Sequence, residues 1–272
     1  MMNIRRLLPF LVSCAVGIAI AAGCSTTPTG RSQLTLFPEA EVEAMGVQAF
    51  SQIKAETPLS RDPDAIRIVR CVSFAIVDQL PTEYRAGGAW EVLVFDDTAV
   101  NAFALPGRKI GVYEGLFRAA RNQHQLAAVV GHEIAHVIAH HANERVSTAY
   151  AAQTGVNLAQ AMAGGSGTAT GQMMGLLGVG ATYGVILPFN RKQESEADII
   201  GMEFMARAGF DPRETIPLWE NMGRASDNAP PEFLSTHPSG ETRIAKLNGH
   251  LPVAMPMFEA ARGRGLKPDC GF

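Results

Sequence analysis

The sequence predicts an α+β fold that is mainly helical, and three features predict it. Apolar residues recur at helical spacing in two early blocks. Two short extended pieces, Trp90 to Phe95 and Lys109 to Tyr113, lie near the middle of the chain. From Glu114 onward the pattern is mainly helical. With 272 residues, 47% hydrophobic and 18% charged, the chain suits one globular domain with a real core.

Taken in order, the first segment stands outside that domain. Arg5 and Arg6 precede an apolar run, Leu7 to Ile20, and then the small residues Ala21-Ala22-Gly23, the layout of a bacterial secretory signal. Cys24 follows, so Ala21-Ala22-Gly23-Cys24 has the form of a lipobox with Ala in place of the usual Leu. Residues 1–23 are therefore expected to be a lipoprotein signal peptide and Cys24 the lipidated N-terminus. Ser25 rather than Asp after that cysteine points to the outer membrane of a Gram-negative cell, with the body in the periplasm. Loss of residues 1–23, which carry two arginines and no acid, takes the formal charge from −3 to −5. Such a chain has no electrostatic footprint for nucleic acid. Cys71 and Cys270 remain, and an oxidising compartment leaves two options, a disulfide between them or a buried Cys71 thiol.

Residues 24–37 are small, polar and turn-rich, which predicts a flexible tether. A helix opens at Pro38-Glu39 and ends near Pro58, and a second covers 63–80. The two extended pieces follow, the second after the turn at Pro106-Gly107. A buried helix is predicted from about Gln123 to Arg145. The Gly- and Met-rich stretch 164–188 is too interrupted for a spanning helix and reads as a lid or loose hairpin. Helices near 192–208 and 212–225, a Pro-rich turn at 229–231 and a last helix after Pro238 complete the chain.

The chemistry is concentrated in His132-Glu133-Ile134-Ala135-His136. Each helical residue advances by about 100°, so the two histidines sit about 40° apart, one turn from each other, and can reach one ion. Glu133 lies beside that ion, where a carboxylate can take a proton from water. The flanking residues are apolar on every side, so the helix is buried, and buried imidazoles need partners. A catalytic zinc needs a third protein ligand and an open position for water. On a continuous helix His140 and His141 lie too far along to share the ion, and position 142 is Ala142. The segment Glu194-Ser195-Glu196-Ala197-Asp198 offers Glu194 as ligand and Asp198, one turn on, to hold a ligand histidine, while Glu196 points nearly opposite.

Four blocks carry a wider likeness: NAFALPGRKIGVYEGL (101–116), VVGHEIAHVIAHH (129–141), RKQESEAD (191–198) and STHPSGETRI (235–244). In this order they resemble the CAAX-prenyl-protease/HtpX superfamily of gluzincin metallopeptidases, in particular its LoiP-like periplasmic lipoproteins. The resemblance implies a zincin-like metallopeptidase domain over 38–272, with a small antiparallel sheet beside the HEIAH helix. It implies one Zn²⁺ held by His132, His136 and Glu194, and endopeptidase activity on unfolded or membrane-associated proteins. It also implies that His237 stabilises the transition state and that Arg243 positions its segment by pairing with a carboxylate. Asn101 would contact substrate or the residues behind the site. The stretch from Lys109 through Ile110 and Gly111 to Tyr113 would be the edge strand on which a peptide adds. One departure is Gly107-Arg108, where the family often has Gly-Gly; Arg108 and Lys109 would then either guard that edge or bias the cleft.

Overall fold

Asp62, Asn122 and Asn190 cap the starts of three helices with their side chains. The computed structural model describes residues 24–162, 190–224, 233–234, 237 and 242–272. The leader 1–23, the Gly/Met-rich 164–188 and the turn at 229–231 lie outside the described residues. Helix α1 (Glu39–Glu56) starts after Pro38, with Glu39 and Glu41 in its first turn and Lys54 in its last, each matched to the helix dipole. Helix α2 (Pro63–Val77) is capped by Asp62, whose side chain accepts from the Asp64 and Ala65 amides. Such a cap contributes about 1 kcal/mol. It ends at Val77, before Leu80, and a short helix α3 (Thr82–Ala86) follows.

Strands β3 (Glu91–Phe95), β4 (Ala102–Leu105) and β5 (Lys109–Tyr113) form a sheet in the order β3-β5-β4. β4 and β5 are antiparallel, but β3 pairs β5 in parallel, so the sheet is mixed. This corrects the edge assignment of Lys109, Ile110 and Gly111: β5 is central and its main chain is paired on both sides. The edge beside the HEIAH helix is β4, whose run Ala102-Phe103-Ala104-Leu105 is short for a strand signal.

One face of the sheet packs a cluster of Phe50, Phe95 and Phe103 beneath α1. The other face joins the main core, where Val92, Val94, Ile110 and Val112 meet α2 and the buried helix α4 (Gln123–Ile138). Arg108 takes φ 62°, a conformation that glycine adopts without strain. Its guanidinium stands 3.4 Å from Glu43, and Lys109 Nζ is 2.9 Å from Glu91. Both cations are therefore engaged inside the fold, with no edge to guard.

Two further expectations change. The segment 24–37 holds an antiparallel hairpin, β1 (Cys24–Thr26) with β2 (Ser32–Leu34), and Thr27 and Gln33 are buried. Arg31 fastens it to Glu144 and Glu196 at 2.6 and 2.8 Å. Paired backbone and ion pairs replace the flexible tether. The single helix expected over 123–145 breaks at Ala139-His140, where His140 has φ 54°, and α5 (His141–Met162) begins anew. Helices α6 (Arg191–Arg207), α7 (Thr215–Arg224) and α8 (Thr242–Gly263) complete the described residues. Asn190 and Gln193 form a capping box at the start of α6.

Cys71 on α2 is bonded to Cys270, with Cα atoms 5.6 Å apart. Closing a loop across 199 residues contributes on the order of 5 kcal/mol in the chain-entropy account. Gln123 at the start of α4 donates to the Pro268 carbonyl and accepts from the Cys270 amide, so the C-terminal tail is tied to both helices. Among the described residues no helix is long and apolar enough to cross a membrane.

Candidate metal centre

The centre exists because α4 and α6 approach closely. A Cβ placed on Gly131 would lie 2.8 Å from the Gly201 carbonyl oxygen, and one on Gly201 would lie 2.6 Å from the His132 nitrogen. Glycine at both positions lets the two backbones meet. The helices run in opposite directions past this point, so Asp198 comes to His132 and Glu194 to His136. All five side chains, including Glu133, are buried.

The donor atoms converge. His132 Nε2 and His136 Nε2 are 3.1 Å apart, and Glu194 offers Oε2 at 3.5 Å to the first and Oε1 at 3.4 Å to the second. His237 Nδ1 is 3.2 Å from His132 Nε2 and 2.9 Å from Glu194 Oε1. Ligand atoms of His132, His136, Glu194 and His237 all lie within 4.8 Å of one another, so the four could hold one ion. Glu194 Oε2 accepts no hydrogen bond, and its guanidinium neighbour, Arg243, stands off at 3.4 Å, so lone pairs of a buried carboxylate remain for an ion to take. Two imidazoles and a carboxylate are a donor set that suits zinc. The residues therefore fit the metal that the motif implies.

The charges agree with this. Burial works to lower the His132 imidazole, but the hydrogen bond with Asp198 and the nearby Glu194 carboxylate outweigh it and lift it to about 9. Burial pushes His136 well below the usual imidazole range, against the pull of the Glu194 carboxylate 3.4 Å away. Burial would raise Glu194, yet His132, His136 and His237 together carry it far below the usual carboxylate range. The cluster thus holds fixed negative charge facing two imidazoles.

Each ligand histidine has a partner on its far nitrogen. His132 Nδ1 is 2.9 Å from Asp198, which in turn accepts from Arg243 at 2.6 Å. Arg243 also stands 3.4 Å from Glu194 Oε2 and lies 3.2 Å from the Trp219 ring centre. His136 Nδ1 meets His141 Nδ1 at 2.8 Å, and His141 Nε2 is 3.1 Å from Glu196. The break at His140 brings His141 back to this face. A continuous helix would have carried it away.

Glu133 sits on the β4 side of the cluster. Its Oε2 accepts from the Ala104 amide of β4 at 3.3 Å, and Oε1 is 3.5 Å from His237 Nε2. Burial raises its carboxyl, opposed by the His237 and His132 imidazoles. The Ala104 contact also shows that this peptide faces outward from β4, as antiparallel alternation requires of residues not bonded to β5.

The structure brings His132, Glu133, His136, Glu194 and Asp198 together in one cluster, and Arg243 pairs with the Asp198 carboxylate. His237 lies among the ligand atoms rather than apart from them, its ring stacked on Phe233 at 4.4 Å. Asn101 is buried just before β4, its carbonyl accepting from the Tyr113 amide at 3.1 Å. Cys24 opens β1 and is exposed. Sequence reasoning missed His141, Glu196, Trp219 and the Ala104 amide. The repeated histidine at 140–141 and the middle acid of ESEAD were the available signals for the first two.

Residues 69–251 match the sequence profile of peptidase family M48. The chain is 40% identical over 174 residues to the mitochondrial metalloendopeptidase OMA1 of Schizosaccharomyces pombe, covering 63% of this chain and 50% of that protein. It is 28% identical over 259 residues to the beta-barrel assembly-enhancing protease of Escherichia coli K12, covering 89% of this chain and 50% of that one. The metalloendopeptidase OMA1 of Danio rerio is 29% identical over 247 residues, or 84% of this chain and 50% of that protein. The chain thus spans about half the length of these relatives. With the HEIAH helix, Glu194 and Asp198 inside the matched span, the chain belongs to peptidase family M48.

Proposed function

We propose that this protein is a zinc-dependent endopeptidase that cleaves unfolded or misassembled envelope proteins while lipid on Cys24 holds it to the membrane surface. The observation that carries the hydrolytic reading is Glu133: a buried carboxylate beside the donor set whose Oε1 accepts no hydrogen bond. Zinc held by His132, His136 and Glu194 would supply an acidified water, with pKa near about 7, and would polarise the scissile carbonyl. Glu133 accepts a proton from the attacking water and returns it to the leaving amine; its raised carboxyl suits that return. His237 donates toward the oxygen that gains negative charge. The substrate lies extended along the outer edge of β4, where main-chain pairing fixes its register.

The envelope location is supported by Arg5-Arg6, the apolar run and Ala21-Ala22-Gly23-Cys24-Ser25. Processing is read by mass spectrometry of the N-terminal peptide. A diacylated Cys24 agrees with it, whereas an intact Met1 points to residues 7–23 retained as an anchor.

A second reading has one observation in its favour. Four side chains, His237 among them, surround the site, and four protein ligands are the mark of a closed, structural zinc. The chain would then be a chaperone-like or binding lipoprotein. Glu133→Gln separates the two. The peptidase reading expects full zinc content and casein cleavage reduced by at least about a thousandfold. Cleavage equal to wild type would remove Glu133 from the mechanism, and no cleavage by either protein would favour the structural zinc.

A further inference from the structure

His136 is connected to the N-terminal hairpin in three steps. Its Nδ1 is 2.8 Å from His141 Nδ1, His141 Nε2 is 3.1 Å from Glu196 Oε2, and Arg31 Nε donates to that same oxygen at 2.8 Å. The hydroxyls of Thr27 and Thr29 donate to Glu196 Oε1. The other arm of Arg31 grips Glu144 through both oxygens at 2.6 and 2.7 Å, and Gln193 donates to Glu144 at 2.7 Å. The hairpin therefore clamps the starts of α5 and α6 together, directly behind the metal centre.

Proton directions follow from the end of this chain. A carboxylate facing a guanidinium and two hydroxyl donors is ionised and can only accept. His141 Nε2–H therefore donates to Glu196, and in the neutral ring this leaves a lone pair on His141 Nδ1. His136 Nδ1–H must donate into that lone pair. The His136 lone pair is then on Nε2, the atom that faces Glu194 and His132. In the opposite arrangement, with a proton on His141 Nδ1, His136 would turn its lone pair away from the ion.

We propose that His141 and Glu196, held in place by Arg31, Thr27 and Thr29 of the β1–β2 hairpin, are positioning residues for the metal ligand His136, so that seating of the hairpin sets how tightly the centre holds its ion. The proposal rests on the metal-centre reading and goes beyond it. It gives Glu196, the acid that helical spacing turns away from the ion, a part in holding it. It also makes the stretch that follows Cys24 an integral component of the site.

The test is zinc affinity of the chain from Cys24 onward, by competition with a chromogenic chelator, together with the visible spectrum of the cobalt-substituted protein. His141→Phe keeps the ring and removes the acceptor. His141→Gln keeps an acceptor for His136 and a donor for Glu196. The expected result is affinity lowered 10- to 100-fold in His141→Phe and in Glu196→Ala, with altered cobalt bands, and largely restored in His141→Gln. Arg31→Ala is expected to shift affinity in the same direction by a smaller factor. Should His141→Phe fail to fold, as judged by near-ultraviolet circular dichroism of the apoprotein, Glu196→Gln and Arg31→Ala read the same relay from its outer end. Wild-type affinity in those variants, or better retention in Phe than in Gln, would overturn the proposal and leave His141 as packing. No zinc binding by the intact chain would overturn the metal reading as well.

Discussion

The two imidazoles of HEIAH are backed in different ways. His132 meets a carboxylate directly, Asp198, and Arg243 neutralises it from within the core. His136 meets another imidazole, His141, and the carboxylate behind that one, Glu196, is neutralised by Arg31 from the N-terminal hairpin. The first arrangement is complete in one step between α4 and α6. The second needs a helix break and a docked segment more than a hundred residues away in sequence, at 113 positions from Arg31 to Glu144. One ligand is thus fixed by the body of the fold and the other by its periphery.

The largest expected effect is at the internal partner. Asp198→Ala removes the acceptor of His132 and leaves the Arg243 guanidinium buried without its shortest partner. Breaking such a buried pair costs about 3–5 kcal/mol, and loss of a ligand's hydrogen-bond partner costs roughly 10- to 100-fold in metal affinity. Chemical denaturation of the apoprotein should show the stability loss for Asp198→Ala and much less for Glu196→Ala. Arg31 is nearer the surface and keeps Glu144 when Glu196 is removed. Equal losses would remove the distinction between core and periphery.

A middle-sized effect is expected at the helix break. His140 has φ 54°, and the left-handed region costs a non-glycine residue about 1–2 kcal/mol. His140→Gly relieves that strain but loses the 3.1 Å contact with the Tyr84 hydroxyl, so stability should change by less than about 1 kcal/mol and zinc affinity hardly at all. His140→Val, β-branched and unsuited to this conformation, should lower zinc affinity by swinging His141 off His136. Calorimetric titration of zinc into both variants checks the pair. Identical affinities would mean that the break does not orient His141.

Acid should loosen the periphery with the smallest effect. Burial raises Glu144, but Arg31 and Gln193 outweigh it and hold the carboxyl below the usual glutamate range. A depressed carboxyl stabilises the fold above its unfolded value and loses that contribution as pH falls through its folded one. Amide hydrogen exchange in residues 24–34 should therefore accelerate, relative to the core of α4, once pH drops below about 4. Uniform exchange across both regions would contradict the picture of a separately seated hairpin.

Much of the centre was legible in the sequence because helical spacing carries it. His132 and His136, or Glu194 and Asp198, need only four residues of regular helix to be placed on one face, and both pairs lie within such stretches. The disulfide was legible as an option because only two cysteines remained in the body. What could not be read depends on irregular backbone or on long-range docking. A left-handed residue at His140 has no glycine or proline to announce it, so the helix appeared continuous. Four residues of β4 between buried neighbours give no alternation long enough to recognise, so the sequence offers only Lys109 to Tyr113 as an edge. The polar composition of 24–37 describes a tether equally well, because Arg31 acquires its partners only when Glu144 and Glu196 are brought to it.

The central claim is that HEIAH and Glu194 hold one catalytic ion. A crystal structure of the zinc-loaded protein with data at the zinc absorption edge tests it most directly. The expected result is a single anomalous peak about 2.0–2.2 Å from His132 Nε2, His136 Nε2 and a Glu194 oxygen, with Glu133 near the ion but not bound to it. A peak held without Glu194, or no peak between α4 and α6, would contradict it.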